Sequence, residues 1–279
     1  MKNILVPVDF SDISKNALKF ATHVAQASES KIILFHVIQP LLIASDTGNY
    51  VYPHTEDGKE YEKNTIYLER LIDYVNMHNV NAEKIIHKGN FIEEEIANLI
   101  EENEIDMIII GSRVTNEAET FFFGANSVKI FEKVKCPVLI IPPKTQYRGI
   151  MKMMYAIDFH NGDLKELKKA IQFAKIFNAE VIITHINTNP TKFEEEEDNL
   201  EWVKGIDTEN ISYEKISSWL VHNKNITVGL EKAAIDLNAD ILCMAIDEKN
   251  LFEKIFTKSY AREIAYTLRI PLMVMHLNS

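Results

Sequence analysis

The chain is short of the features that staple, anchor or steer a protein. It has two cysteines in 279 residues, Cys136 and Cys243, each inside an apolar strand-like run. That argues for packed core thiols in a reducing compartment rather than a disulfide framework. No apolar run approaches the roughly 20 residues needed to span a bilayer. The N-terminal MKNILVPVDF turns polar too soon for a signal peptide. A cytoplasmic protein is therefore expected. Positive charge is in deficit, with 30 Lys and Arg against 41 Asp and Glu and a net charge of -11. Such a balance argues against nucleic acid and against an anionic membrane surface as partners. No pair of His, Cys or Asp has metal-ligand spacing. No serine or cysteine stands in a local nucleophile signature, so neither a metal site nor a catalytic residue is assigned. The strand end Val8-Asp9-Phe10 also lacks the glycine fingerprint of dinucleotide binding.

What is present is a soluble composition, 46% hydrophobic and 25% charged, in a chain long enough for one large or two ordinary domains. Asn3–Val8 and Lys31–Ile38 are apolar runs typical of strands covered on both faces. Between them Ser11 or Asp12 can cap a helix in which Ala17, Leu18, Ala21, Val24 and Ala25 recur at helical spacing. Residues 39 to about 56 read as a loop. Tyr61–Met77 is amphipathic, Ala82–His87 is a short strand, and Ile92, Ile96, Leu99 and Ile100 mark a helix with an acidic outer face. Met107–Ile110 and Val138–Ile141 complete the series. Strands alternating with helices predict an α/β fold, a mainly parallel five-stranded sheet with helices on both faces.

After Pro142-Pro143 and a linker at 144–149 the pattern restarts. Asp9-Phe10 returns as Asp158-Phe159, and His36 returns as His185 at the same spacing. Asp106 returns as Asp240 and Cys136-Pro137 as Ile270-Pro271, at a shorter spacing, so the second copy has a shorter middle crossover. Two copies of one module, 1–143 and 150–279, follow.

The stretch Asp106–Pro142 carries the chemistry. It runs strand, Gly111-Ser112, a polar loop, Phe121–Phe123, Gly124-Ala125-Asn126-Ser127, helix pattern, strand. Ligands of open α/β sheets bind beyond the carboxyl ends of strands, where strand order reverses. Asp9, Val37, Gly111 and Gly124 stand at such ends or in the loop beside them, and a glycine turn with a helix N-terminus suits phosphates. Arg113 adds a cation within reach of a phosphate. Asp9 and Asp158 can equally be strand-end carboxylates that cap the next helix. His36 and His185 are expected to be structural, each bonded to a neighbouring loop. Trp202 and Trp219 are expected to be packing anchors. A response-regulator receiver and an ATP-pyrophosphatase are set aside, because the required Asp and Lys, or serine-glycine loop, are missing.

The VPVDFS start, the HV closing the second strand, the GS turn, the Gly124 helix start and the closing KCPVLIIP resemble the universal stress protein family, over essentially the whole chain as two tandem modules. The resemblance implies Rossmann-like, adenine-nucleotide α-hydrolase-like modules and a stress-response or signalling role. It implies ATP, with Mg, or AMP in the first module, at Pro7, Val8, Asp9, Phe10, Val37, Gly111, Arg113, Gly124, Ala125, Asn126 and Ser127, with at most slow hydrolysis. Single modules of the family pair through their last strands. A tandem chain is expected to make that pairing internally, Val138–Ile141 against Leu272–Met275, and homodimerisation of the chain is left open. The nucleotide-binding pattern of the family is Gly, two residues, Gly, nine residues, Gly, then Ser or Thr. Here Val114 replaces the second glycine and Ala125 the hydroxyl. Each departure could cost about 1–3 kcal/mol. The second copy has Ala245, Glu248 and Lys258-Ser259 at the matching places, so no nucleotide is expected there. The alternative to nucleotide binding is an interaction protein that keeps the fold without the ligand.

Overall fold

The computed structural model describes residues 1–38, 43–44, 50–51, 57–89, 92–115, 120–122, 130, 133–159, 163–189, 198–199, 213–246 and 270–277. In chain order the first half contains β1 (Asn3–Pro7), α1 (Asp12–Ser28), β2 (Lys31–Ile38), β3 (Ile43–Ala44), β4 (Tyr50–Val51), α2 (Asp57–Asn76), β5 (Ala82–Lys88) and α3 (Ile92–Asn103). It continues with β6 (Met107–Gly111), β7 (Arg113–Thr115), β8 (Thr120–Phe122) and β9 (Val138–Ile141). The second half contains β10 (Lys152–Ala156), α4 (Asp163–Phe177), β11 (Glu180–Asn187), β12 (Ile216–His222), α5 (Ile226–Leu237), β13 (Ile241–Ile246) and β14 (Leu272–His276).

Ten of these strands form one continuous sheet in the order β12-β11-β10-β13-β14-β9-β6-β1-β2-β5. Within each half all neighbours are parallel. The halves meet through one antiparallel pair, β14 with β9, in the register Leu272↔Ile140, Met273↔Leu139 and Val274↔Val138. Val138–Ile141 and Leu272–Met275, the segments expected to meet, are thus side by side. The architecture is α/β with a mainly parallel sheet, as the alternation of patterns implied.

Strand alternation sends Ile4 and Val6 to one face and Leu5 to the other, and the helices cover both. One core layer holds Ala17, Leu18 and Ala21 of α1 together with Leu167, Ala170 and Ile171 of α4. The opposite layer holds Ile96 and Leu99 of α3 together with Leu230 and Ala233 of α5. Each layer therefore runs unbroken through both halves. Ser11 caps α1 by accepting from the Ser14 N–H at 3.2 Å, and Asn225 caps α5 by accepting from the Val228 N–H at 3.1 Å. Both helices end on a left-handed residue, Glu29 and Asn238.

A paired aspartate device was not read from the sequence. Asp106 Oδ2 accepts from the backbone N–H of Lys2 at 2.6 Å and of Asn3 at 3.0 Å. Asp240 Oδ2 does the same for Met151 at 2.7 Å and Lys152 at 2.9 Å. Each carboxylate pins the first strand of its half to the strand beside it. The connection between the halves lies on α1. Asn16 Nδ2 donates to the carbonyls of Pro142 and Thr145, and the Tyr147 ring stacks on His23 at 4.6 Å and meets Phe20 edge-on at 5.1 Å.

Two segments read as loops contain ladders. Ile43↔Val51 and Ala44↔Tyr50 make a small antiparallel pair between β2 and α2. After Gly111 the chain forms a second one, with Arg113↔Phe122, Val114↔Phe121 and Thr115↔Thr120 in register. The β-branched and aromatic residues of that stretch favour extended backbone, which explains why the polar loop is framed by strands. Among the described residues no helix is long and apolar enough to cross a membrane.

Candidate functional site

Chain order and strand order reverse between β1 and β6. From β1 the chain moves outward through β2 to β5, then returns to the other side of β1 as β6. Open α/β sheets place their ligand crevice at such a reversal, which here lies beyond the carboxyl ends of β1 and β6. Pro7, Val8, Asp9 and Phe10 form one lip, Gly111 and Ser112 the other, and Val37 at the end of β2 flanks the first. The structure thus brings six of the expected site residues together: Pro7, Val8, Asp9, Phe10, Val37 and Gly111. The backbone of Arg113 opens β7, two residues beyond Gly111. Gly124, Ala125, Asn126 and Ser127 lie outside the described residues.

The first lip is built by a turn that needs positive φ at a phenylalanine. Phe10 has φ +62. This disfavoured backbone is offset by ring contacts with His36 at 4.5 Å and Tyr67 at 5.3 Å. His36 Nδ1 bonds the Val8 carbonyl at 2.8 Å, and the Val8 N–H donates to the Phe35 carbonyl at 2.8 Å. Asp9 Oδ1 accepts from the Ser11 N–H at 3.1 Å and the Ser11 hydroxyl at 2.5 Å. Asp9 thus braces the residue that caps α1. The second half repeats the unit: Phe159 has φ +62, its ring lies 4.6 Å from His185, and His185 Nδ1 bonds the Ile157 carbonyl at 2.8 Å. Each histidine bonds the first residue beyond a neighbouring strand, at the start of the loop expected to hold it.

The second lip is governed by packing. A Cβ on Gly111 would lie 2.5 Å from Ile13 Cγ2 and 2.9 Å from the Ile13 carbonyl oxygen. Gly111 is glycine because the first turn of α1 lies against it. Ser112 is buried, and its N–H donates to the Ile141 carbonyl at 3.0 Å. Val114 lies on an extended backbone paired with Phe121, a conformation that does not call for glycine.

Neither cysteine belongs to this chemistry. Burial pushes the Cys136 thiol up to about 12 and raises that of Cys243 as well. Among the described residues no group of three or more His, Cys, Asp or Glu could hold a metal ion. The side chains of 113–129 lie outside the described residues. One polar pair beside Val37 has no signal in the sequence pattern. His87, its register partner on β5, holds Glu95 of α3 at 2.8 Å.

The universal stress protein family model matches residues 1–142. Universal stress protein YxiE of Bacillus subtilis (strain 168) is 31% identical over 144 residues, which span 50% of this chain and 97% of that protein. A universal stress protein from Archaeoglobus fulgidus DSM 4304 overlays on 99% of this chain and 98% of its own, with a TM-score of 0.79 at 19% identity. A functionally unknown protein from Pseudomonas aeruginosa PAO1 overlays on 99% of this chain and 92% of its own, with a TM-score of 0.67 at 16% identity. At these identities the two overlays establish the shared fold, and both cover the full tandem length.

Proposed function

The chain belongs to the universal stress protein family, and from that premise we propose that its first half binds an adenine nucleotide, ATP or AMP, as a cytoplasmic stress-response or signalling protein. The reading takes residues 1–143 and 150–279 as two modules joined by 144–149. Ligand binding is assigned to the first, and the second is taken as a diverged partner held beside it. The observation that supports it most is the crevice at the β1/β6 reversal, with Pro7–Phe10 and Gly111 on opposite lips and Val37 alongside. Base and ribose would rest against Val37 and Asp9. Phosphates would extend toward Arg113 and the Gly124–Ser127 segment, with Mg carried on the triphosphate. Isothermal titration of the full chain with ATP and Mg tests the proposal. Binding at micromolar to high micromolar concentration, abolished by Gly124→Asp with unchanged circular dichroism, supports it. Absence of heat through that range removes it.

A second reading is favoured by one specific observation. Gly111 is fully explained by its contact with Ile13, so its presence does not require a phosphate. Together with Val114 and Ala125, this supports an interaction protein that retains the fold and works through a protein partner. The same titration separates the two.

A further inference from the structure

The His87–Glu95 pair stands beside Val37 and is braced on more sides than a surface ion pair needs. His87 is the register partner of Val37 across β2 and β5. Its ring meets Phe35 edge-on at 5.4 Å, which puts it on the same sheet face as Phe35 and hence as Val37. Glu95 Oε2 lies 2.8 Å from His87 Nδ1, and the two side chains are 26% and 34% exposed. A Cβ on Gly89 would lie 2.7 Å from Glu95 Oε1 and 3.2 Å from its Cδ, so the bare backbone at 89 leaves room for the carboxylate to reach the ring. The Gly89 N–H is itself tied to the Ile38 carbonyl at 3.2 Å, which anchors this turn to the end of β2. A carboxylate can only accept, so Nδ1 carries a hydrogen, and in the neutral imidazole Nε2 is then the acceptor.

We propose that His87, held by Glu95, sets the base preference of the first crevice: its Nε2 accepts a hydrogen bond from a ligand N–H, selecting a purine with an exocyclic amine over one with a carbonyl at that edge. The inference rests on the nucleotide reading given above. The apolar wall of Val37 takes the base face, and the neighbouring imidazole reads its edge. Glu95 is the positioning residue, because it decides which ring nitrogen is the acceptor. Gly89 gives that carboxylate its room.

The test titrates the full chain at about pH 8 with ATP and with ITP, which share ribose and triphosphate and differ at the purine 6-position. An acceptor facing an amine rather than a carbonyl should favour ATP by about tenfold, the scale of one well-made hydrogen bond against two opposed acceptors. His87→Phe, which keeps an aromatic ring against Phe35, should bring the two affinities within about twofold by weakening ATP. Glu95→Ala, which frees the ring and its tautomer, should lower the ratio to about threefold or less. Equal affinities in the wild type, or a tenfold preference retained in His87→Phe, overturns the assignment while nucleotide binding stands. If His87→Phe does not fold, a full preference in Glu95→Ala overturns it just as well. Binding of neither nucleotide overturns this inference and the proposed function together.

Discussion

Gly111 and Ile13 approach so closely that a Cβ on Gly111 would lie 2.5 Å from the Ile13 Cγ2 and 2.9 Å from its carbonyl oxygen. The second of these atoms is backbone in the first turn of α1 and cannot swing aside. Gly111→Ala must therefore shift the helix from the sheet, an overpacking cost of about 1–3 kcal/mol. Urea denaturation without any nucleotide should show that loss. An unchanged midpoint would mean that the glycine serves only a ligand.

Asp106 and Asp240 perform one task in the two halves, so their removal should be equivalent. Asp106→Ala and Asp240→Ala each take a charged acceptor from two backbone N–H groups at the start of β1 or β10. Each should cost about 1–3 kcal/mol, since hydrogen bonds to charged groups lie at the upper end of the usual range. Denaturation midpoints of both variants check this. Hydrogen exchange should show faster opening near Lys2 or Met151 in the corresponding variant.

His23 gives the acid side of the stability curve a specific origin. Burial first, and the neighbouring His78 second, lower its pKa below the ordinary 6.5. The folded state thus holds His23 neutral while the unfolded chain takes up a proton below 6.5. Stability attributable to this residue is present above that pH and is lost as pH falls toward the depressed folded value. His23→Phe retains a ring against Tyr147 and should flatten the fall in stability below 6.5. Thermal melts of both proteins from neutral to mildly acid pH measure the difference, and parallel curves would count against it.

The thiols act on the alkaline side with the opposite sign. Cys136 is raised from 9.0 to about 12 by burial, and Cys243 moves in the same direction. The folded state keeps its thiol proton where the unfolded chain has lost it. Stability should therefore fall as pH rises above 9, by about 1.4 kcal/mol per pH unit for each thiol. Cys136→Ala should remove one thiol's share of that slope at the expense of a small cavity. At neutral pH neither thiol should react with a disulfide reagent until the chain unfolds.

Alternation and repetition made much of the fold legible. Buried parallel strands such as Lys31–Ile38 read as nearly continuous apolar runs, and Ala17, Leu18 and Ala21 recur at helical spacing. The return of Asp9-Phe10 and His36 as Asp158-Phe159 and His185 corresponds to a repeated turn with the same φ and the same ring contact. The duties of Asp106, Asp240 and Gly111 were hidden because each depends on a chain segment about a hundred residues away in sequence. A periodicity cannot report such a partner. The ladder at Arg113–Thr115 was hidden for another reason: three residues are too few to show alternation. His87 was passed over because its meaning comes from standing opposite Val37 and against Glu95, a relation of register and tertiary contact.

The β9–β14 pair has a consequence for stoichiometry. In the family resemblance, single modules meet as separate molecules, so their pairing depends on concentration and like pairs with like. Here both strands belong to one covalent chain, and the effective concentration of each for the other is set by the short connection clamped on α1. Dilution cannot part them, and the two halves are matched in every molecule at a ratio of one to one. Neither half then needs a self-complementary edge: Val138–Ile140 has only to fit Leu272–Val274, so the two edges can differ in sequence and still engage.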